Sequence, residues 1–291
     1  MHVATLIVNP ARPTLDRATV EALRDAWGGG AAHWLNPGVA AEFDVAQVPA
    51  NRWDVWQGLQ GIGVDLVVQA AEGRRKRVLI ADMDSTMIGQ ECIDELADVA
   101  GVGAHVAAIT ARAMNGEIGF EGALLERVGL LKDLPERVIA DVLRDRITVT
   151  PGGRALVATM AANGAQTALV SGGFTAFTGP VAAMIGFHEH RANVLLAQGG
   201  RLTGDVARPI LGRQAKMDAL ADIAARLGVG HDAVMAVGDG ANDLGMLGMA
   251  GAGVALHAKP AVQAECDIRV NHGDLTALLY IQGYGVDEFA A

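Results

Sequence analysis

The 291 residues are 51% hydrophobic and carry a formal charge of −10. That length and apolar share suffice for a full core and for two domains. The acidic balance argues against nucleic acid and anionic membranes, whose binding needs basic patches, and an anionic substrate would need cations placed at its own site. Cys92 and Cys266 are too few for a disulfide framework, which fits a reduced, cytoplasmic setting. The opening MHVATLIVNPARP has no basic segment and meets a proline at residue 10, unlike a secretory signal. No apolar run approaches the ~20 residues of a membrane span.

All four tryptophans, Trp27, Trp34, Trp53 and Trp56, fall early in the chain, which marks off an N-terminal module. VATLIV (3–8) reads as a strand. LDRATVEALRDAW (15–27) reads as a helix with Leu15, Val20, Leu23 and Trp27 near one face, stopped by Gly28–Gly30. AHWL and AEFDVAQV read as strands around the turn signal NPG, followed by a helix through Trp53–Leu59 and a strand at VDLVVQA. The pattern strand-helix-strand-strand-helix-strand predicts a ferredoxin-like α+β domain over 1–73. The basic run in EGRRKR (72–77) reads as a solvated linker.

Beyond it, VLIA, TALV, AVMAV, GVAL and DIRV alternate with helical stretches, which predicts a Rossmann-like parallel sheet over 74–291. Between the first two of these strands, about 88–148 is mostly helical and reads as a cap over the site. TPGGRALVATMAANG is expected to start a helix with Thr150 as N-cap and Pro151 at the first helical position, and to end it at Gly164.

In sheets of this kind, ligands bind at the carboxyl ends of the strands. DMDST (82–86), SGG (171–173) and GDGAND (238–243) fall there, with Lys216 on the helix before the third strand. Asp82 and Asp84 repel one another unless a cation or a proton sits between them. With Asp239 and Asp243 they make an oxygen-only set, which suits Mg²⁺ and not zinc. SGG offers a hydroxyl and unhindered N–H groups at a helix start, an anion site. Read singly, DMDST is equally an Asx-type turn, GDGAND a glycine-rich turn, SGG an N-cap and Lys216 a solvated helix lysine. Together they point to phosphoryl transfer through an aspartyl-phosphate, with one carboxylate attacking and the other moving the proton.

These motifs, together with IGQECIDELADVAGV, TARAMNGEIGFEGALLERVGLLKDLP and RLTGDV, resemble the haloacid dehalogenase-like phosphatase superfamily and, within it, the phosphoserine phosphatases, over roughly 78–282. The resemblance implies Asp82 as nucleophile and Asp84 as acid/base. It implies Mg²⁺ held by Asp82, the Asp84 carbonyl and Asp239, and a phosphoryl group bound by Ser171, Gly172 and Lys216 with Asn242 and Asp243 in support. It gives Glu91 to a substrate ammonium, Arg127 to its carboxylate, and Met114 and Phe120 to closing the pocket. The implied activity is hydrolysis of O-phosphoserine, the last step of serine biosynthesis. The N-terminal module resembles the ACT-like amino-acid-binding modules attached to this family, but its first loop, NPARPTLD, has no glycine. A packing role, or a homodimer contact, fits it at least as well as an effector site.

Two other readings stay open on the sequence. A phosphotransferase of the same family would pass the phosphoryl group to homoserine. A non-catalytic amino-acid sensor would use the N-terminal module, although the full set Asp82, Asp84, Lys216 and Asp239 argues against a decayed site.

Overall fold

The computed structural model describes residues 1–114 and 117–290. Contact density divides it into two compact units, one of Met1–Ile80, Thr150–Thr167 and Leu220–Ala291, the other of Ala81–Val149 and Ala168–Ala219.

The chain opens with β1 (His2–Ile7), α1 (Arg17–Ala26), β2 (His33–Asn36), β3 (Ala40–Val45), α2 (Arg52–Gln60) and β4 (Asp65–Ala70). The four strands form an antiparallel sheet in the order β2-β3-β1-β4, as the sequence pattern predicts. Asp16 caps α1 by accepting the Thr19 N–H at 2.7 Å. One face of the sheet and the two helices enclose Leu6, Val20, Phe43 and Leu66, with Trp27, Trp34 and Trp56 packed at the margin.

β5 (Val78–Ala81) is buried throughout, as expected of a strand covered on both faces. It is followed by α3 (Cys92–Val99), α4 (Gly103–Met114), α5 (Phe120–Gly129) and α6 (Val138–Asp145), the helical insertion. Next come α7 (Gly153–Ala162), β6 (Gln166–Phe174), α8 (Thr175–Ile185), β7 (Glu189–Asn193), β8 (Leu195–Gln198) and β9 (Arg201–Val206). The chain continues through α9 (Arg213–Leu227), β10 (Val234–Gly238), α10 (Leu244–Met249), β11 (Ala252–Leu256), α11 (Pro260–Ala264), β12 (Ile268–Val270) and α12 (Ala277–Ile281). Six strands form one sheet in the order β12-β11-β10-β5-β6-β7, while β8 and β9 pair as a separate hairpin. The pairings β10–β11, β11–β12 and β6–β7 are parallel. Among the described residues, no helix is long and apolar enough to cross a membrane.

Two local expectations are corrected. The helix after residue 150 does not start at Pro151 with Thr150 as its cap. It starts at Gly153, with Gly152 as N-cap at φ 80°. A Cβ on Gly152 would lie 2.6 Å from the Thr276 nitrogen, so the close approach of that backbone requires glycine. SGG does not sit at a helix start either, because β6 runs through Phe174 and α8 begins one residue later. The register of β6 against β7 shifts between Val170 and Phe174, so SGG occupies an irregular strand end.

The first unit ties the tryptophan-rich module to the C-terminal strands. β4 runs beside β12. Asp65, fully buried at the start of β4, accepts the N–H groups of Asn271, His272 and Gly273 at 2.8–2.9 Å. Burial raises its pKa, and the three bonds oppose that shift. Arg74 forks onto Glu42 at 2.5 and 2.9 Å, Gln69 donates to the Ile281 carbonyl, and Asn36 donates to the Tyr280 hydroxyl. Arg269 stacks over Trp53 at 3.9 Å from the ring centroid. Arg74 lies within the basic run expected to be solvated, so part of that linker is a structural contact.

Candidate active site

In the second unit the chain leaves β5 at Asp82 and makes a wide turn closed by the Ile88 N–H donating to the Met83 carbonyl at 3.1 Å. Ser85 takes φ 55° within it. The turn ends the alternation of a strand, so Asp82 and Asp84 are set by loop geometry. Asp82 is 5% exposed and Lys216, on α9, is 1% exposed. Lys216 Nζ stands 2.6 Å from Asp82 Oδ1, which also accepts the Met83 N–H at 2.8 Å. A lysine and an aspartate buried this deeply survive because they face each other. Lys216 is therefore a buried partner of Asp82 and not a solvated helix lysine.

Asp84 accepts the Cys92 N–H at 3.1 Å through Oδ1. Loss of hydration, with the charges of Glu91 and then Asp82 adding to it, pushes its pKa up to about 7, against the Cys92 bond. A carboxyl titrating there can hold a proton and release it near neutral pH. Gly173 lets the strand pass this group, since a Cβ on it would lie 2.9 Å from Asp84 Oδ2 and 3.0 Å from Ser171 Oγ. Ser171, 3% exposed, accepts the Gly173 N–H at 2.8 Å.

The cap helices bring further residues of the predicted set. Glu91, the residue before α3, accepts the Ser85 hydroxyl at 2.7 Å. Arg127, on α5, donates from Nε to the Ala123 carbonyl and forms no ion pair among the described residues. Burial lowers its pKa, and Asp94, Glu91 and Asp84 pull it back. Phe120, at the start of α5, is exposed but lies over two glycines. A Cβ on Gly172 would be 3.2 Å from its Cζ, and one on Gly212 would be 3.0 Å from its Cδ1. Met114 ends α4, and its side chain lies outside the described residues.

In the first unit, Asp239, Asn242 and Asp243 follow β10. Asp243 is fully buried, and its Oδ2 accepts the Gly240 N–H at 3.0 Å. An oxygen of Asp239 and one of Asp243 lie within 4.8 Å of each other. Gly238 has no room for a Cβ beside the Asp243 carboxylate, so the glycines of GDGAND let the loop fold back on its own aspartate.

One residue that the motifs did not single out also shapes this region. Asn193, at the end of β7 and 2% exposed, donates from Nδ2 to the carbonyls of Gly172 (2.8 Å) and Leu211 (3.0 Å). It accepts the Leu211 N–H at 2.7 Å. It therefore clamps the SGG segment to the loop that leads into the helix of Lys216. A lone asparagine in RANV carries no local sign of this, because both partners are remote in sequence.

The haloacid dehalogenase-like hydrolase family profile matches residues 79–248. The chain is 40% identical over 259 residues to a phosphoserine phosphatase of Streptomyces coelicolor, a match that covers 88% of this chain and 63% of that protein. The chain thus spans less than two thirds of the length of the first curated relatives it matches. A solved HAD-family hydrolase of Salmonella enterica serovar Typhi superposes with a TM-score of 0.86 at 28% identity, covering 96% of this chain and 97% of that one. A solved phosphoserine phosphatase carrying a phospho-aspartyl intermediate analogue superposes with a TM-score of 0.66 at 38% identity, covering 70% of this chain and 98% of that one. The family match takes in the turn of Asp82 and Asp84, the cap, SGG, Lys216 and the GDGAND loop, and with these relatives it shows that the chain belongs to the haloacid dehalogenase-like hydrolase family.

Proposed function

We propose that the chain hydrolyses O-phosphoserine to serine and phosphate through an aspartyl-phosphate on Asp82, the closing step of serine biosynthesis. The observation that carries this reading is the buried Lys216–Asp82 pair beside Asp84, whose pKa is raised to about 7. Asp82 attacks phosphorus, and the bond from phosphorus to the serine oxygen breaks. Asp84 gives its proton to that oxygen. The anionic Asp84 then takes a proton from water as the water attacks phosphorus and releases phosphate, freeing Asp82. Lys216, the Ser171 hydroxyl and the Gly172 N–H bind the phosphoryl oxygens, and Asn242 and Asp243 take a supporting role from the GDGAND loop. Relatives bearing the phosphoserine phosphatase name, and one solved with a phospho-aspartyl analogue, support this reading.

Asp82, the Asp84 carbonyl and Asp239, the residues we assign to a metal, offer oxygen donors only, without histidine or thiolate, a chemistry that suits Mg²⁺. When bound, Mg²⁺ would offset phosphoryl charge that Lys216 alone cannot balance. Exhaustive chelation is expected to silence phosphate release and Mg²⁺ to restore it, with Ca²⁺ a poor substitute because it prefers longer bonds and more ligands. Full turnover after EDTA and gel filtration would refute a metal-dependent site.

We assign Glu91 to the substrate ammonium, the half-buried Arg127 to its carboxylate, and Phe120 with Met114 to closing the pocket. Arg127→Ala is expected to lower kcat/KM for phosphoserine by roughly ten- to a hundredfold, the loss of one charge-assisted contact. Phosphoethanolamine, which lacks the carboxylate, should lose far less. Equal losses on both esters would make Arg127 a structural residue. Product analysis with phosphoserine and homoserine together tests the main assignment: free phosphate supports the hydrolase, and stoichiometric phosphohomoserine overturns it.

A further inference from the structure

The helical cap is entered through residues 88–91 and left through 147–149, and these two linkers run side by side within the second unit. Ile88 and Val149 form an antiparallel bridge, and the Gly89 N–H donates to the Thr148 carbonyl at 3.0 Å. A Cβ on Gly89 would lie 3.4 Å from Thr148 Oγ1, so the linkers approach closely.

Gln90 fastens them with its side chain. Its Oε1 accepts the Thr148 N–H at 2.9 Å, and its Nε2 donates to Thr148 Oγ1 at 2.9 Å. Only the amide oxygen can accept a backbone N–H, so the two bonds together fix which way the amide points. The same short segment is tied to the nucleophile turn. The Ser85 N–H donates to the Gln90 carbonyl at 3.3 Å, and the Ser85 hydroxyl donates to Glu91 at 2.7 Å. Residues 89–91 are thus held from two sides, by Thr148 and by Ser85.

This matters more for Glu91 than for the reacting groups. Glu91 is exposed, so hydrogen bonds and not packing place its carboxylate. Asp82 is placed by Lys216 and the Met83 N–H. Asp84 is placed by the N–H of Cys92, which is 1% exposed at the start of α3. Neither of those anchors passes through Gln90.

We propose that Gln90 is a positioning residue for substrate selection, whose hold on Thr148 keeps Glu91 where a substrate ammonium binds. The inference rests on the ammonium role given to Glu91 above. It makes Gln90 act on recognition of the amino group and not on phosphoryl transfer.

Gln90→Met tests this, because it keeps the length of the side chain and removes both amide bonds. O-Phosphoserine is compared with 3-phosphooxypropanoate, the same ester without the amino group. The variant is expected to raise KM for phosphoserine about tenfold with kcat within about twofold, and to leave kcat/KM for the deamino ester within about twofold. Thr148→Ser, which keeps the hydroxyl and the N–H, should match the unaltered chain on both esters. Faster amide exchange at Thr148 is expected in Gln90→Met whatever the turnover, since that N–H loses its acceptor. Equal losses on the two esters, or an unchanged KM for phosphoserine, would overturn the proposal, as would unaltered exchange at Thr148. Absence of phosphoserine turnover in the unaltered chain, with the deamino ester still cleaved, would overturn the substrate reading and this inference with it.

Discussion

Asp82→Asn is expected to reduce phosphate release by at least about ten-thousand-fold, the scale on which enzymes lose rate when a covalent nucleophile is removed. An amide oxygen cannot form the acyl-phosphate, and no neighbour replaces it. Asp84 is held by the Cys92 N–H and its pKa is raised to about 7. The substitution also removes the charge that faces buried Lys216 at 2.6 Å. Lys216 is then left with an amide, so part of any fall in stability belongs to that pair and must be separated from the chemistry. Stopped assays on a variant whose melting temperature and circular dichroism are near those of the unaltered chain make the separation. Turnover within about tenfold of the original rate, with deamidation excluded by mass, would remove Asp82 from the nucleophile's role.

Asp65→Ala is expected to be the most costly single change far from that chemistry. It leaves three N–H donors, those of Asn271, His272 and Gly273, without the acceptor that the fully buried Asp65 supplies. Each unsatisfied donor costs about 1–3 kcal/mol, so a total near 3 kcal/mol or more is expected even with relaxation. For a chain of this size that corresponds to a melting temperature roughly 6–12 °C lower. Thermal denaturation followed by circular dichroism measures it, and a fall under ~2 °C would show that the loop re-solvates freely.

Removing residues 1–73 extends the same argument. It deletes Asp65 together with Glu42, Asn36 and Gln69, the partners of Arg74, Tyr280 and Ile281. Every proposed catalytic residue survives the deletion, yet the shortened chain is expected to aggregate or to melt much lower. Strand β4 also runs beside β12, so the deletion uncovers that strand.

Much of the chemistry was legible in the sequence because it resides in short segments. Glycine and aspartate at fixed spacing in DMDST, SGG and GDGAND describe turns whose geometry is set within a few residues, so their placement at strand ends followed from hydrophobic runs alone. The same holds for the N-terminal sheet, whose order followed from the sequence of its elements. The cap helices were legible from their periodicity. The expected helix start at Pro151 failed for a non-local reason. Thr276 crowds Gly152 from far along the chain, and that contact, not local capping preference, decides where the turn begins. SGG was misplaced for a similar reason, since pairing with β7 draws β6 out to Phe174.

What only the tertiary structure decided is which polar side chains are buried and what they face. Lysine on a helix is usually solvated, and nothing near Lys216 in sequence says otherwise. Its burial follows from α9 packing so that Nζ reaches Asp82. Asn193 and Asp65 likewise look ordinary in their own segments. Each matters because folding presents it with backbone groups that have lost water, and those partners lie 18 or more residues away for Asn193 and more than 200 away for Asp65. Residue type and local spacing set which bonds a side chain can make. The removal of water by packing sets which of them it must make, and that is a property of the assembled chain.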